Sequence, residues 1–235
     1  MKFRFLKTSL IGLILSANCF VGVSHAGIIT LGDTLSGGVV DSWQSIMIIN
    51  EYDAYTNTSG ADELVTLNNF NFTVGNNRGK VTPFVVKINN AASNDFTIMA
   101  IGDTRYSGVD YFSTGNLSLD FSTTLSQFSL AAGETITSGF LDADVNGVSA
   151  GSVIPYIGGD PVFLTGGGSN NHSGNLSQGV GNAPTFGSST YYNGLARNYS
   201  YNITAEINAV PEPTSLAIFA MGLIGLVSLR SKKQA

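Results

Sequence analysis

Beyond the middle of the chain, the six residues Asp142-Ala143-Asp144-Val145-Asn146-Gly147 set oxygen-bearing side chains at alternate positions and close on a glycine. At that spacing Asp142, Asp144 and Asn146 converge on one centre, and the glycine makes the sharp turn of a calcium-binding loop. Such a loop is completed by a bidentate acid at its twelfth position, which here is Val153. The competing arrangement is a hairpin, in which Asn146-Gly147 supplies positive φ angles between Phe140-Leu141 and Val148. The absent twelfth ligand favours the hairpin; calcium would need a distant acid such as Asp160, and no other cofactor is expected.

The remaining polar chemistry is sparse. His172 lies within GGGSNNHSGN, where a catalytic imidazole would lack an orienting partner, so it reads as an exposed histidine. Paired carboxylates would suit glycoside hydrolysis, and Glu51/Asp53 and Asp103/Asp110 are the pairs to nominate, although acids in turns are the plainer reading. Trp43, Tyr52, Tyr55, Tyr191 and Tyr192 are amphipathic rings that could stack on sugar faces; in a β protein such rings also fill the core. No convergent acid, base and nucleophile emerge, so a non-enzymatic protein is expected, with carbohydrate binding the alternative and polysaccharide hydrolysis ranked last.

The elements that must carry these groups read as strands. Charged residues are 11% of the 235-residue chain, against about 25% in an average globular protein. There are 28 glycines, and Ser, Thr and Asn abound, as a turn-rich all-β domain requires. Asn69–Val74 alternates with Phe70, Phe72 and Val74 on one face, and Asn198–Asn208 alternates with Tyr199, Tyr201, Ile203, Ala205 and Ile207 on one face. Further strands are expected at Ser45–Ile49, Pro83–Ile88, Phe96–Ile101, Leu117–Phe121, Ile136–Leu141 and Val153–Ile157. Gly158–Gly187 reads as a long mobile loop. The expected fold of residues 27–209 is an antiparallel β-sandwich of jelly-roll type.

Charge is distributed unevenly. Between Gly27 and Ala209 five cations stand against fifteen acids, a balance of −10, which disfavours nucleic acid and anionic lipid as partners. The other cations cluster at the extremities: Lys2, Arg4 and Lys7, then Arg230, Lys232 and Lys233. At the start, the basic residues lead into the apolar run Ser9–Val23 and the small-x-small triplet Ser24-His25-Ala26, the pattern of a secretory signal peptide over residues 1–26. Cleavage by signal peptidase between Ala26 and Gly27 would remove Cys19, the one cysteine, so stability must come from a core without disulfides. Asn18 is too polar and too large to precede a lipidated cysteine, so a lipoprotein reading fails.

At the other end, Leu216–Leu229 is apolar apart from Ser228. As a helix it would span about 21 Å, short of the ~30 Å hydrocarbon core. A transmembrane helix over 214–229 would therefore cross only a thin or thinned bilayer, with Arg230 and its basic neighbours at the cytoplasmic side. Both ends then point inward and the domain between them outward. Pro211 and Pro213 keep Val210 and Glu212 extended, a shape that a processing enzyme's cleft can read.

Val210-Pro211-Glu212-Pro213, the glycine-containing apolar segment and the basic end beginning at Arg230 closely resemble, in that order, the PEP-CTERM sorting signal over residues 210–235. The resemblance implies a Gram-negative bacterium, processing by an exosortase, and transient anchoring in the inner membrane. It further implies delivery to the cell surface or extracellular matrix, with the family's usual association with exopolysaccharide and biofilm. It carries no implication for residues 27–209.

Overall fold

The computed structural model describes residues 27–40, 46–50, 53–75, 79–93, 95–122, 126–143, 153–165, 176, 178–184 and 191–210. The chain divides into two compact units, one of Ala26–Asn208 and one of Met1–His25 with Ala209–Ala235. The expected leader, Trp43, Asp144, Asn146, His172 and the expected helix over 214–229 lie outside the described residues. Among the described residues no helix is long and apolar enough to cross a membrane.

The first unit is all-β. Among the described residues its thirteen strands are β1 (Gly27–Gly32), β2 (Ile46–Ile49), β3 (Tyr55–Thr56), β4 (Glu63–Val74), β5 (Lys80–Asn90), β6 (Asp95–Ile101), β7 (Arg105–Tyr106), β8 (Gly115–Asp120), β9 (Gln127–Leu130), β10 (Thr135–Ala143), β11 (Tyr156–Thr165), β12 (Tyr191–Tyr199) and β13 (Tyr201–Ala209). They form two sheets. One runs β1-β13-β4-β8 with β9 also on β4; the other runs β12-β11-β2-β10-β5-β6, with β3 on β10 and β7 on β5. The registers of β1 with β13, β2 with β10, β4 with β8 and β5 with β6 are all antiparallel.

The two sheets share one core. Leu31, Phe70, Phe72, Tyr201, Ile203 and Ala205 of the first sheet meet Ile46, Ile48, Val81, Val85, Ile136 and Phe140 of the second. Phe140 sits at the middle, edge-on to Tyr199 at 5.5 Å and to Tyr201 at 4.8 Å, geometry that suits the ring quadrupoles. Burial pushes the Tyr201 hydroxyl well above its ordinary pKa. That hydroxyl stays satisfied by donating to the Ser138 carbonyl at 3.2 Å, as a buried polar group must.

The second sheet is also covered on its other face. Met47, Ile49, Phe84, Val86, Phe96 and Ile98 form a further apolar cluster with Leu176. Leu176 lies on this face, and at the edge strand β6 the Ile98 amide donates to the Asn182 carbonyl and the Gly181 amide to the Ile98 carbonyl, each at 2.8 Å. The expectation of one long loop over Gly158–Gly187 is therefore corrected at both of its described parts. β11 continues to Thr165, and Leu176 is buried. The Gly-Gly-Asp-Pro stretch hid the strand because a bulge between Gly158 and Pro161 interrupts its register.

A second correction concerns Asn198–Asn208. Its alternation runs through two strands in different sheets: Tyr199 ends β12, Ser200 is a bend, and Tyr201 begins β13. The chain changes sheets without losing phase, because Tyr199 and Tyr201 both reach Phe140 in the shared core.

Candidate functional site

The sorting tail is delivered by β13. Tyr201, Ile203, Ala205 and Ile207 are buried while the residues between them are half-buried, the one-sided pattern of a strand with solvent on its outer face. On one flank β13 pairs with β1, from Gly27 opposite Ile207 to Gly32 opposite Asn202. On the other it pairs with β4, reinforced by Asn71 Nδ2 donating to Asn202 Oδ1 at 2.8 Å and by the Thr73 and Ser200 hydroxyls 2.6 Å apart. Asn202 Nδ2 also donates to the Asp33 carbonyl at 2.8 Å, tying β13 to the end of β1.

The ladder stops at Ala209. Val210 follows outside the strand and is exposed, and Pro211 after it has no N–H to give. The described structure thus ends in a strand that is fixed on both flanks and followed at once by the segment Val210-Pro211-Glu212-Pro213. Pro211 to Arg230 themselves lie outside the described residues.

The described domain thus hands its last strand directly to the tail segment. The family model for the PEP-CTERM protein-sorting motif matches residues 209–233, so the chain carries that sorting motif in its tail. The motif implies processing by an exosortase and delivery to the cell surface. The match covers the tail alone. No curated protein and no solved structure matches the chain.

The other residues singled out from the sequence are scattered. Asp142 is buried near the end of β10, and its Oδ2 accepts a hydrogen bond from the Val153 amide at 2.5 Å. This closes the 142–153 loop through the very residue that occupies the twelfth position. β10 pairs with β5 over Ile136–Ala143 and with β2 over Gly139–Asp142, and the expected Asn146-Gly147 turn lies outside the described residues. Among the described residues no group of three or more His, Cys, Asp or Glu side chains could hold a metal.

Glu51 and Tyr52 lie outside the described residues, and the other nominated acids serve their own turns. Asp53 Oδ2 accepts from Asn50 Nδ2 at 2.7 Å, and Asp110 Oδ2 accepts from the Tyr106 amide at 2.6 Å. Asp103 Oδ2 stands 3.8 Å from Arg105 Nη2. Tyr55 donates to the buried Glu63 carboxylate at 2.9 Å, and burial and that bond push its hydroxyl up to about 12. Tyr191 and Tyr192 lie on β12, the edge strand of the larger sheet, paired to Thr165 and Leu164.

One feature escaped sequence reasoning. Between β7 and β8, Gly108 at φ +76° and its amide's bond to the Tyr111 carbonyl fold a tight loop, which the buried Tyr111 pins by donating to the Gly79 carbonyl at 2.7 Å. The loop holds Tyr106, Val109 and Phe112 outward, with Phe112 72% exposed. Three rings within seven residues, Tyr106, Tyr111 and Phe112, were the available signal. Sequence alone could not say which of them turned inward.

Proposed function

We propose that this is a non-enzymatic protein of the cell surface or extracellular matrix, exported from a Gram-negative bacterium and associated with biofilm exopolysaccharide. A signal peptide is cut between Ala26 and Gly27, and the tail holds the domain at the inner membrane until an exosortase acts. The observation that carries this reading is the sorting motif beginning at the last residue of β13. Jelly-roll winding is our reading of the sandwich. Its support is that β1, β2, β4, β5, β6, β8, β10 and β13, counted one to eight, lie in the orders one-eight-three-six and two-seven-four-five.

The test is expression of the full chain in a host with and without an exosortase. The expected result is a tail-shortened protein outside the cell only when the enzyme is present, and a membrane-held precursor for Glu212→Gln or for the exosortase-free host. Equal release in both hosts would overturn the reading.

A carbohydrate-binding role is the second reading, favoured by the rings of Tyr106 and Phe112 held outward on a pinned loop. Retention of the 27–209 domain on exopolysaccharide, lost in a Tyr106→Ala/Phe112→Ala variant, would support it. Equal retention of the variant, or no retention of either, would remove it.

A further inference from the structure

Four strand pairs nest inside one another along the chain. β5 pairs with β6, the chain on either side pairs as β4 with β8, the next as β2 with β10, and the outermost as β1 with β13. A nested set closes from the inside outward, because each inner pair shortens the loop that the next must close. The last rung is β1 on β13, and among the described residues β1 pairs with no other strand. During export from the N-terminus, β1 emerges first while its partner emerges last.

The register makes this rung matter for processing. Gly27, the first residue after the proposed leader, is already paired with Ile207, and no spacer separates the bond to be cut from the strand. Peptidases hold the chain on both sides of the scissile bond extended, by main-chain hydrogen bonds in their own cleft. Residues of β1 cannot serve that cleft and β13 together. Asp33 and Ser36 reinforce the docked state just beyond the strand, the first by its amide donating to the Tyr201 carbonyl at 2.9 Å and the second by its amide donating to Ser200 Oγ at 2.7 Å.

We propose that leader removal must precede docking of β1 on β13: once the outermost rung has closed, the Ala26–Gly27 bond is shielded from signal peptidase. The order is leader cut, then closure of the smaller sheet. This rests on the export reading above, and the test separates the two.

Thr30 and Thr204 face each other in the β1–β13 register, and the chain has no cysteine outside the leader. A Thr30→Cys/Thr204→Cys variant, made in a Cys19→Ala background, reports the docked rung by a disulfide visible on a non-reducing gel. Cells are treated transiently with a signal peptidase inhibitor so that full-length precursor accumulates and crosslinks, and the inhibitor is then washed out. The crosslinked precursor should lose its leader at least about tenfold more slowly than the same precursor kept reduced, since cutting then waits on a minor undocked population. A short Gly-Ser spacer between Ala26 and Gly27 should restore fast cutting of the crosslinked form. Equal rates for crosslinked and reduced precursor would overturn the proposed order while leaving export intact. A reduced precursor and a spacer variant that both keep residues 1–26 would overturn the export reading and the order with it.

Discussion

β13 and β2 line the same core from opposite sheets, yet their sequences obey different rules. β13 alternates between buried and half-buried residues, whereas Ile46, Met47, Ile48 and Ile49 of β2 are all buried. The difference lies in what covers the far face. Half-buried residues form the outer face of β13, while Leu176 packs with Met47, Ile49, Phe84 and Phe96 on the far face of the other sheet. Alternation therefore reports one-sided burial, and an unbroken apolar run reports a second layer that the local sequence does not reveal.

The largest way to break this comparison is to hollow out the shared core. Phe140→Ala should destabilise the 27–209 domain by about 3–5 kcal/mol, read from the urea midpoint, whereas Thr204→Ala on the outer face should cost no more than about 0.5 kcal/mol. Attacking only the second layer should cost less. Leu176→Ser should lose about 2 kcal/mol and raise binding of a hydrophobic dye, while leaving a Thr30–Thr204 crosslink intact. Asp142→Ala leaves the Val153 amide without its acceptor and should cost about 1–3 kcal/mol. In the same melts, a midpoint unchanged by chelator would dispose of a calcium site at Asp142, Asp144 and Asn146.

Smaller effects sharpen the picture at the sheet margins. Tyr55→Phe removes the donor to buried Glu63 and should cost about 1–2 kcal/mol at neutral pH. The folded hydroxyl titrates at about 12, above its ordinary 10.0, so its share of stability is fully present below pH 10 and is lost as the pH rises through 12. The variant should accordingly flatten that part of the alkaline decline. Smallest of all is the Lys87–Glu134 pair at 2.8 Å, whose partners remain about 30% exposed. The hydrogen bond from Lys87 holds the Glu134 carboxyl below its ordinary 4.5, so this contribution exists above that pH and fades on acidification. Glu134→Gln should cost under about 1 kcal/mol and less in high salt.

The sorting tail was the most legible part of the chain. Its chemistry is local, a Pro-bracketed acid, a greasy segment and terminal cations, so its resemblance to the PEP-CTERM sorting signal could be read from residues 210–235 by themselves. Most strands were legible too, since Phe70, Phe72, Val74, Phe96 and Ile98 alternate within single elements. The misreadings share one cause, which is tertiary. Tyr199 and Tyr201 belong to different sheets but keep one alternation, because both turn toward Phe140. Leu176 stands alone among Gly, Ser and Asn, and only the sheet beneath it makes it a core residue. Asp142 looked like a ligand by spacing, and its partner, the Val153 amide, is a backbone group that no side-chain pattern announces.

Because Gly27 lies opposite Ile207, the first and last residues of the sandwich are neighbours. A short peptide joining them would make the domain a ring, and the chain could then be reopened between Thr165 and Tyr191 without cutting any of the strands described above. Such a circular permutant would keep the whole sandwich while moving both addresses to a new place on its surface, so the architecture does not depend on where the export signals are attached.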